Sequence, residues 1–258
     1  MNDGTSRDLS RDPSRDPSRD RDEELLLARI SAAGGRAHLG RRRATYRAAP
    51  REATAPAGRG AEAAIRLLRR AVAEGAHRLR RPGGRTRATS AAARLDLYEH
   101  GMTVAVDGRI RVVRYDTTVV RRCGVPSPQG VPADAHVFVD ADGGQVVLHD
   151  GDFDRPEVWG PEIRRAVTGA QVPQALAALA EGARLAFGPV WITGDGIGFR
   201  ETSLRWPQVR RVEASDSSVA VRTAGRWQVL GPVASGIPNS FVLHALAGHL
   251  AGAERDDG

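Results

Sequence analysis

The feature that most restricts this chain is an internal duplication. Residues 94–167 and the shorter 184–250 pass the same landmarks in the same order. Each opens on an apolar extended run, Leu95-Asp96-Leu97-Tyr98 in the first and Leu185-Ala186-Phe187 in the second. A tight turn follows at Asp107-Gly108 and at Asp195-Gly196, then a strand ending in an arginine and an aromatic, Arg114-Tyr115 and Arg205-Trp206. Paired arginines come next, Arg121-Arg122 and Arg210-Arg211. A second turn stands at Asp142-Gly143 and at Ala224-Gly225, and a helix start at Asp154 and at Asn239. A chain that repeats its apolar and turn pattern in this way is expected to fold as two similar units.

Within the first copy, Leu95 to Val106 is rich in β-formers but alternates poorly, with His100-Gly101 placed for a bend. Asp107-Gly108 suits a type I′ turn, whose central residues need positive φ. Arg109 to Val113 alternates, Ile110 and Val112 against Arg109 and Arg111, as a half-buried strand does. Residues 123–134, with three prolines, read as a loop, and 136–140 with 145–149 as a hairpin. Asp154 is placed to cap a helix, with Pro156 in its first turn and Glu157 three residues on. Trp159, Ile163 and Val167 are spaced by four and form one apolar stripe. Pro161 inside it either kinks the helix or marks its start. Pro173 opens a second short helix through Leu176 and Leu179. In the second copy Asn239 caps a helix that buries Phe241, Leu243, Leu246, Ala247 and Leu250. Such helices would plug the open end of a small curled sheet, at about 1.5–3 kcal/mol for each large side chain buried.

The remainder is a leader of different character. Residues 1–91 carry 21 arginines against 11 acidic residues, and 92–258 carry 17 against 20, so the net charge of +7 belongs to the leader. Residues 1–22 repeat Arg-Asp-Pro-Ser at 11–14 and 15–18, hold almost no apolar side chains, and are expected to be disordered. Residues 23–91 read as a basic helical and linker region. It begins with a short helix from Glu23 to Ala33, ended by Gly34-Gly35, and continues as a mostly irregular stretch over 36–60. The helix over 61–80 is clearer: Ala61, Ala64, Ile65, Leu68, Ala71, Val72, Ala76 and Leu79 share one stripe, with Arg66, Arg69, Arg70, Arg78 and Arg80 mostly off it. That stripe either packs on the repeat units or on a second copy, or lies in an anionic membrane surface. In the second case Arg41, Arg42, Arg43 and Arg81 join the helix arginines as candidate contacts to the headgroups. Nucleic acid is the least favoured partner, because no base-reading module is present.

Several kinds of chemistry are argued against. No apolar run approaches the roughly 18–20 residues that span a bilayer, and the N-terminus has no signal-peptide core. A cytoplasmic protein is expected, with peripheral membrane attachment as the alternative. Cys123 is the one cysteine, so it has no internal disulfide partner, and no neighbouring histidine marks it as a nucleophile. Gly194-x-Gly196-x-Gly198 reads as a hairpin turn rather than a nucleotide loop, because a strand follows it. Asp140-x-Asp142-Gly143 lacks the remaining ligands of a calcium loop. His244 and His249 stand five apart, wrong for two ligands on one helix face, and His100, His136 and His149 meet only if the fold brings them together. Capping and dipole complementarity account for Asp150, Asp152 and Asp154 before a helix. No catalytic, cofactor or metal residue is assigned and no enzyme activity is expected; an uncharacterised enzyme, which would need a polar pocket with shifted pKa values, is the least favoured alternative.

One further likeness rests on Leu95-Asp96-Leu97-Tyr98-Glu99-His100-Gly101, Arg111-Val112-Val113-Arg114-Tyr115-Asp116, the Trp159-Gly160-Pro161 helix, Phe187-Gly188-Pro189-Val190-Trp191-Ile192-Thr193 and Ser235-Gly236-Ile237-Pro238-Asn239. Over about residues 94–252 the chain resembles tandem pleckstrin-homology-like (PH-like) domains, in the manner of an uncharacterised family of proteins from GC-rich Gram-positive bacteria. The resemblance implies an α+β fold of two PH-like units, at 92–182 with a connecting helix and at 183–252, followed by a polar tail over 253–258. Each unit would be a curled antiparallel sheet closed by a C-terminal helix, and the basic leader would precede the pair. Membrane-binding domains of that kind hold a phosphorylated inositol in a basic first loop. Here the matching loops carry Asp107, Gly108 and Arg109, and Gly194, Asp195 and Gly196, which is too little charge for a phosphate cradle. The function expected is binding or scaffolding. An unknown protein partner would be gripped by exposed strand edges and by the cleft between the units. Trp191, Trp206 and Trp227 are candidates for that surface, and each also fits a core position.

Overall fold

The structure is a computed structural model that describes residues 17–49, 93–106, 108–125, 133–140, 142–215, 218–232 and 236–256. The expected disorder of residues 1–16 and the helix expected over 61–80 lie outside the described residues. Within them, the chain is α+β, with four antiparallel sheets and three helices, and none of the sheets closes into a barrel.

The first sheet is a meander of β1 (Arg42–Arg47), β2 (Arg94–Tyr98), β3 (Gly101–Val106) and β4 (Arg109–Arg114). The second is β5 (Val120–Val125), β6 (Ala133–Val139) and β7 (Gln145–His149), followed by helix α2 (Pro156–Ala180). The order then recurs. A four-stranded meander of β8 (Leu185–Phe187), β9 (Val190–Ile192), β10 (Gly196–Phe199) and β11 (Thr202–Arg205) is followed by a 3-10 turn at Trp206–Gln208. A three-stranded sheet of β12 (Arg211–Ala214), β13 (Ser218–Arg222) and β14 (Trp227–Pro232) leads into α3 (Ser240–Asp256).

This order corrects the front half of the sequence duplication. Counted within the sheets, Leu95 to Tyr98 corresponds to Val190–Ile192 and not to Leu185–Phe187, because the counterpart of β8 is β1, far upstream. The back half holds. Arg114-Tyr115 and Arg205-Trp206 both end a fourth strand and bury their aromatics, and the turns at 142–143 and 224–225 both join the last two strands.

The stretch expected to be an irregular linker over 36–60 therefore contains the edge strand of the first sheet. Side-chain contacts of Tyr46 and Thr45 hold β1 there besides its ladder to β2. Tyr46 enters the core, and its hydroxyl donates to Glu162 Oε2 at 3.0 Å. Thr45 Oγ1 donates to Asp96 Oδ1 at 2.5 Å. Asp96 is fully buried and is also gripped by its strand neighbour Arg94, with Nε donating at 2.7 Å.

Helix α1 (Pro17–Arg36) departs from expectation at both ends: it begins inside the stretch expected to be disordered and runs through Gly34-Gly35. Tertiary packing explains the second difference. Leu95, Leu97, Met102 and Val104 face the core, while Asp96, Tyr98, Thr103 and Ala105 lie on the other face of the same strands and are buried too. α1 covers that second face. A Cβ at Gly34 would stand 3.3 Å from the Tyr98 ring, so glycine lets the helix approach. Ile30 and Leu39 are fully buried there, and Arg114 Nη1 donates to Ala37 O at 2.9 Å. Burial on both faces is why Leu95 to Val106 alternates poorly in sequence.

Three further differences concern the closing helices. α2 is one helix of 25 residues that contains both Pro161 and Pro173, where the sequence suggested two. Each proline removes a hydrogen bond, and the burial of Trp159, Ile163, Val167 and Leu179 holds the helix through both. Asp154 does not cap α2: the N-cap position is Arg155, in the left-handed region at φ 54°, with no side-chain cap bond. α3 continues through 253–256, into the segment expected to be a polar tail. One hydrophobic core serves both units, running from Tyr46 and Leu95 through Trp159 to Trp206, Leu243 and Leu246.

Candidate ligand groove between the units

Two residues with the same local chemistry enter the two closing helices, and they grip different targets. Asp154 donates its backbone N–H to Arg47 O at 3.0 Å, and its Oδ1 accepts from Arg47 N at 3.1 Å. Asn239 donates its backbone N–H to Val120 O at 2.8 Å, and its Oδ1 accepts from Val120 N at 2.6 Å. Each thus adds a two-bond rung to a strand. Asp154 holds β1 of its own unit. Asn239, buried and at φ 49°, holds β5 of the other unit. Its Nδ2 also donates to Thr118 O at 3.2 Å and to Gln171 Oε1 at 2.9 Å, and Gln171 Nε2 donates to Tyr115 O and Thr118 O. The cap expected at Asn239 is therefore a polar joint between the units.

Beside this joint lies an open groove of about 350 Å³. The first unit supplies Val120 and Arg122 from β5, His136 from β6 and Arg164 from α2. The second supplies Ala214 at the end of β12, Ser215 just after it, and Ser240, Phe241 and His244 from the first turns of α3. Arg122 and His136 are direct cross-strand partners, so their side chains leave the sheet side by side. The His136 ring meets Trp159 edge-on at 5.6 Å, and its Nε2 stands 3.7 Å from Asp150 Oδ1. The lining holds two arginines, two histidines and two serines, and no carboxylate among the described residues. The groove falls within the range of volumes that small-ligand sites occupy.

The arginines expected at an anionic surface divide. Arg66, Arg69, Arg70, Arg78, Arg80 and Arg81 lie outside the described residues. Arg41, Arg42 and Arg43 are exposed at the start of β1, and they answer carboxylates of the chain itself. Arg42 stands 3.7 Å from buried Asp96 and Arg43 3.4 Å from Glu99. The Arg41 backbone N–H, donating to Glu99 Oε2 at 3.2 Å, holds the Glu99 carboxyl below its usual range. Of the tryptophans, Trp206 is core, its indole N–H bonded to Thr193 O. Trp191 is half-buried, packed over Gly198 and under the Arg184 guanidinium at 4.1 Å. Trp227 is 45% exposed, beside Val229 at 66%.

The acidic cluster before α2 is used in two backbone contacts and one side-chain contact rather than in capping α2. Asp152 accepts from His149 N at 2.8 Å, Asp154 accepts from Arg47, and Asp150 faces His136. Asp140 accepts from Asp142 N and Gly144 N and meets Arg111 at 3.1 Å, as a tightened hairpin turn. Gly196 and Gly198 sit in strand β10, where a Cβ at Gly198 would collide with the Trp191 indole, so the glycine run serves close packing. Among the described residues no group of three or more His, Cys, Asp or Glu is placed to hold a metal ion, and no helix is long and apolar enough to cross a membrane. The groove escaped the sequence because its members come from five elements and share no local spacing. The one hint was the doubled arginine at 121–122, one of which lines it.

These features define an α+β protein built from a repeated order of four strands, three strands and a helix, with a basic groove at the join. The chain belongs to a family of unknown function, DUF6585, whose model matches residues 88–255. No curated protein and no solved structure matches it. The family match begins after β1, so the first sheet and its covering helix draw on residues upstream of the matched region.

Proposed function

We propose that this chain is a non-enzymatic binding protein made of two PH-like units acting together, with its ligand held in the groove between them. The repeated order of four strands, three strands and a closing helix supports the PH-like assignment. The observation that carries the binding role is the groove itself, which neither unit builds alone. The Asn239 joint beside it ties the two walls together, so the groove is preorganised and the ligand need not order it. The test is native mass spectrometry of the full chain, purified at low salt, as wild type and as His244→Trp. His244 is exposed and lines the groove, so the indole fills it without disturbing the core. A bound species lost in His244→Trp, at an unchanged melting temperature, supports the role. A bound species retained by that variant contradicts it.

A further inference from the structure

We infer that the outer edge of β14 is a dimer interface, where a second copy of this chain adds its own β14 about a twofold axis through Gln228. β14 is the last strand of its sheet, and among the described residues it pairs only with β13. Two hydrogen bonds fix which way its backbone faces. Thr223 N donates to Arg226 O across the turn, and Arg222 O accepts from Arg210 N on the β12 side. Bonding alternates along an antiparallel ladder, so Gln228 turns its N–H and C=O toward Val221, while Trp227 and Val229 turn theirs outward. The same two residues project their side chains from the outer face of the sheet, Trp227 at 45% exposure and Val229 at 66%.

An edge of this kind is a template for another strand, and charge is a common protection against it. β1 and β4 each carry three arginines and β5 two, whereas β14 carries no charged residue from Trp227 to Pro232. Self-complementarity selects a second copy as the occupant. With Gln228 opposite its own copy, Trp227 falls opposite the partner's Val229, and Val229 opposite the partner's Trp227. Each pair exchanges two backbone bonds, so every outward N–H and C=O of these residues is satisfied. Each pair also sets an indole against a β-branched side chain, a favourable cross-strand combination. Arg222 flanks Trp227 on the β13 side, so the two central strands keep it from its own copy. The groove lies on the β12 side of the same sheet and stays open, which gives a dimer with two grooves.

The experiment is sedimentation equilibrium of the full chain from about 1 to 200 μM, the range in which a small interface dissociates. The mass should rise from monomer to dimer with concentration. Val229→Pro removes an outward N–H that β13 does not use, and Val229→Asp sets a carboxylate against the partner's indole. Each should weaken the dimer by about tenfold or more. Val147→Asp, at an exposed valine on β7, should leave it unchanged. Equal melting temperatures at the lowest concentration show that the variants are folded. In a chain with Cys123→Ser, Gln228→Cys should form a disulfide-linked dimer under mild oxidation, because the residue on the axis meets its own copy. Ser203→Cys, exposed on β11, should not. A dimer unchanged by both Val229 variants, or one in which Gln228→Cys resists cross-linking, would overturn the pairing. A chain that stays monomeric throughout would overturn the second copy as occupant and leave the edge to an extended segment of another protein.

Discussion

The two units close in the same way and complete themselves differently. In the first, Asp154 at the helix entry holds β1, and β1 together with α1 comes from the leader. In the second, Asn239 holds β5, which belongs to the first unit. The strands follow the same division. Those of the first meander have five or six residues, and β2 and β3 are covered on both faces, while those of the second have three or four. The first unit thus recruits sequence from upstream, and the second leans on the first. A duplicated chain need not give two independent domains: here the second copy exchanges autonomy for a joint, and the joint builds the groove.

The largest effect should come from the core beneath the helix that the second unit closes with. Leu246 is fully buried there, and Leu246→Asp places a carboxylate in an apolar site at a cost beyond about 4 kcal/mol. The second unit should lose its cooperative melt and its amide protection, while β2 and β3 keep much of theirs. Equal loss in both units would show that they fold as one indivisible body.

The helix entries come next. Asn239→Ala strands Val120 N and the Gln171 amide in a buried joint, and about 2–4 kcal/mol is expected from denaturant unfolding. Asp154→Ala frees a backbone N–H at an exposed edge, where about 1 kcal/mol is expected. A cost for Asp154→Ala that matches Asn239→Ala would erase the distinction between a self-contained closure and a borrowed one.

The smallest effect is a pH dependence confined to the first unit. Burial, and then the hydrogen bond to Glu162, push the Tyr46 hydroxyl up to about 12. Its folded pKa lies above the unfolded value, so its contribution is fully present below pH 10 and is lost as pH rises toward 12. Tyr46→Phe should therefore flatten the alkaline limb of the stability curve, by about 1 kcal/mol at most. An unchanged limb would mean that Tyr46 does not hold β1 to α2.

Much of this was legible locally. The hairpins about 142–143 and 224–225, the apolar stripe of α3 and the buried stripe of Trp159, Ile163 and Val167 all follow from spacing and turn chemistry. β1 was not legible, because Arg42–Arg47 offers only Ala44 and Tyr46 as apolar residues, and its partner strand begins at Arg94. The continuity of α2 was hidden by two prolines that packing overrides. Asp154 and Asn239 read as caps because a cap and a strand clamp use the same short polar side chain, and only the fold shows which backbone it meets. The groove needed the assembled sheet register, since Arg122 and His136 become neighbours only through the pairing of β5 with β6.

The central claim is that α1 and β1 are structural members of the first unit. Hydrogen exchange of the full chain against a chain beginning at residue 88, where the family match begins, tests it most directly. The account predicts that β2 and β3 amides in the shortened chain exchange orders of magnitude faster and that the melt loses its cooperativity. Protection and melting temperature equal to those of the full chain would contradict it.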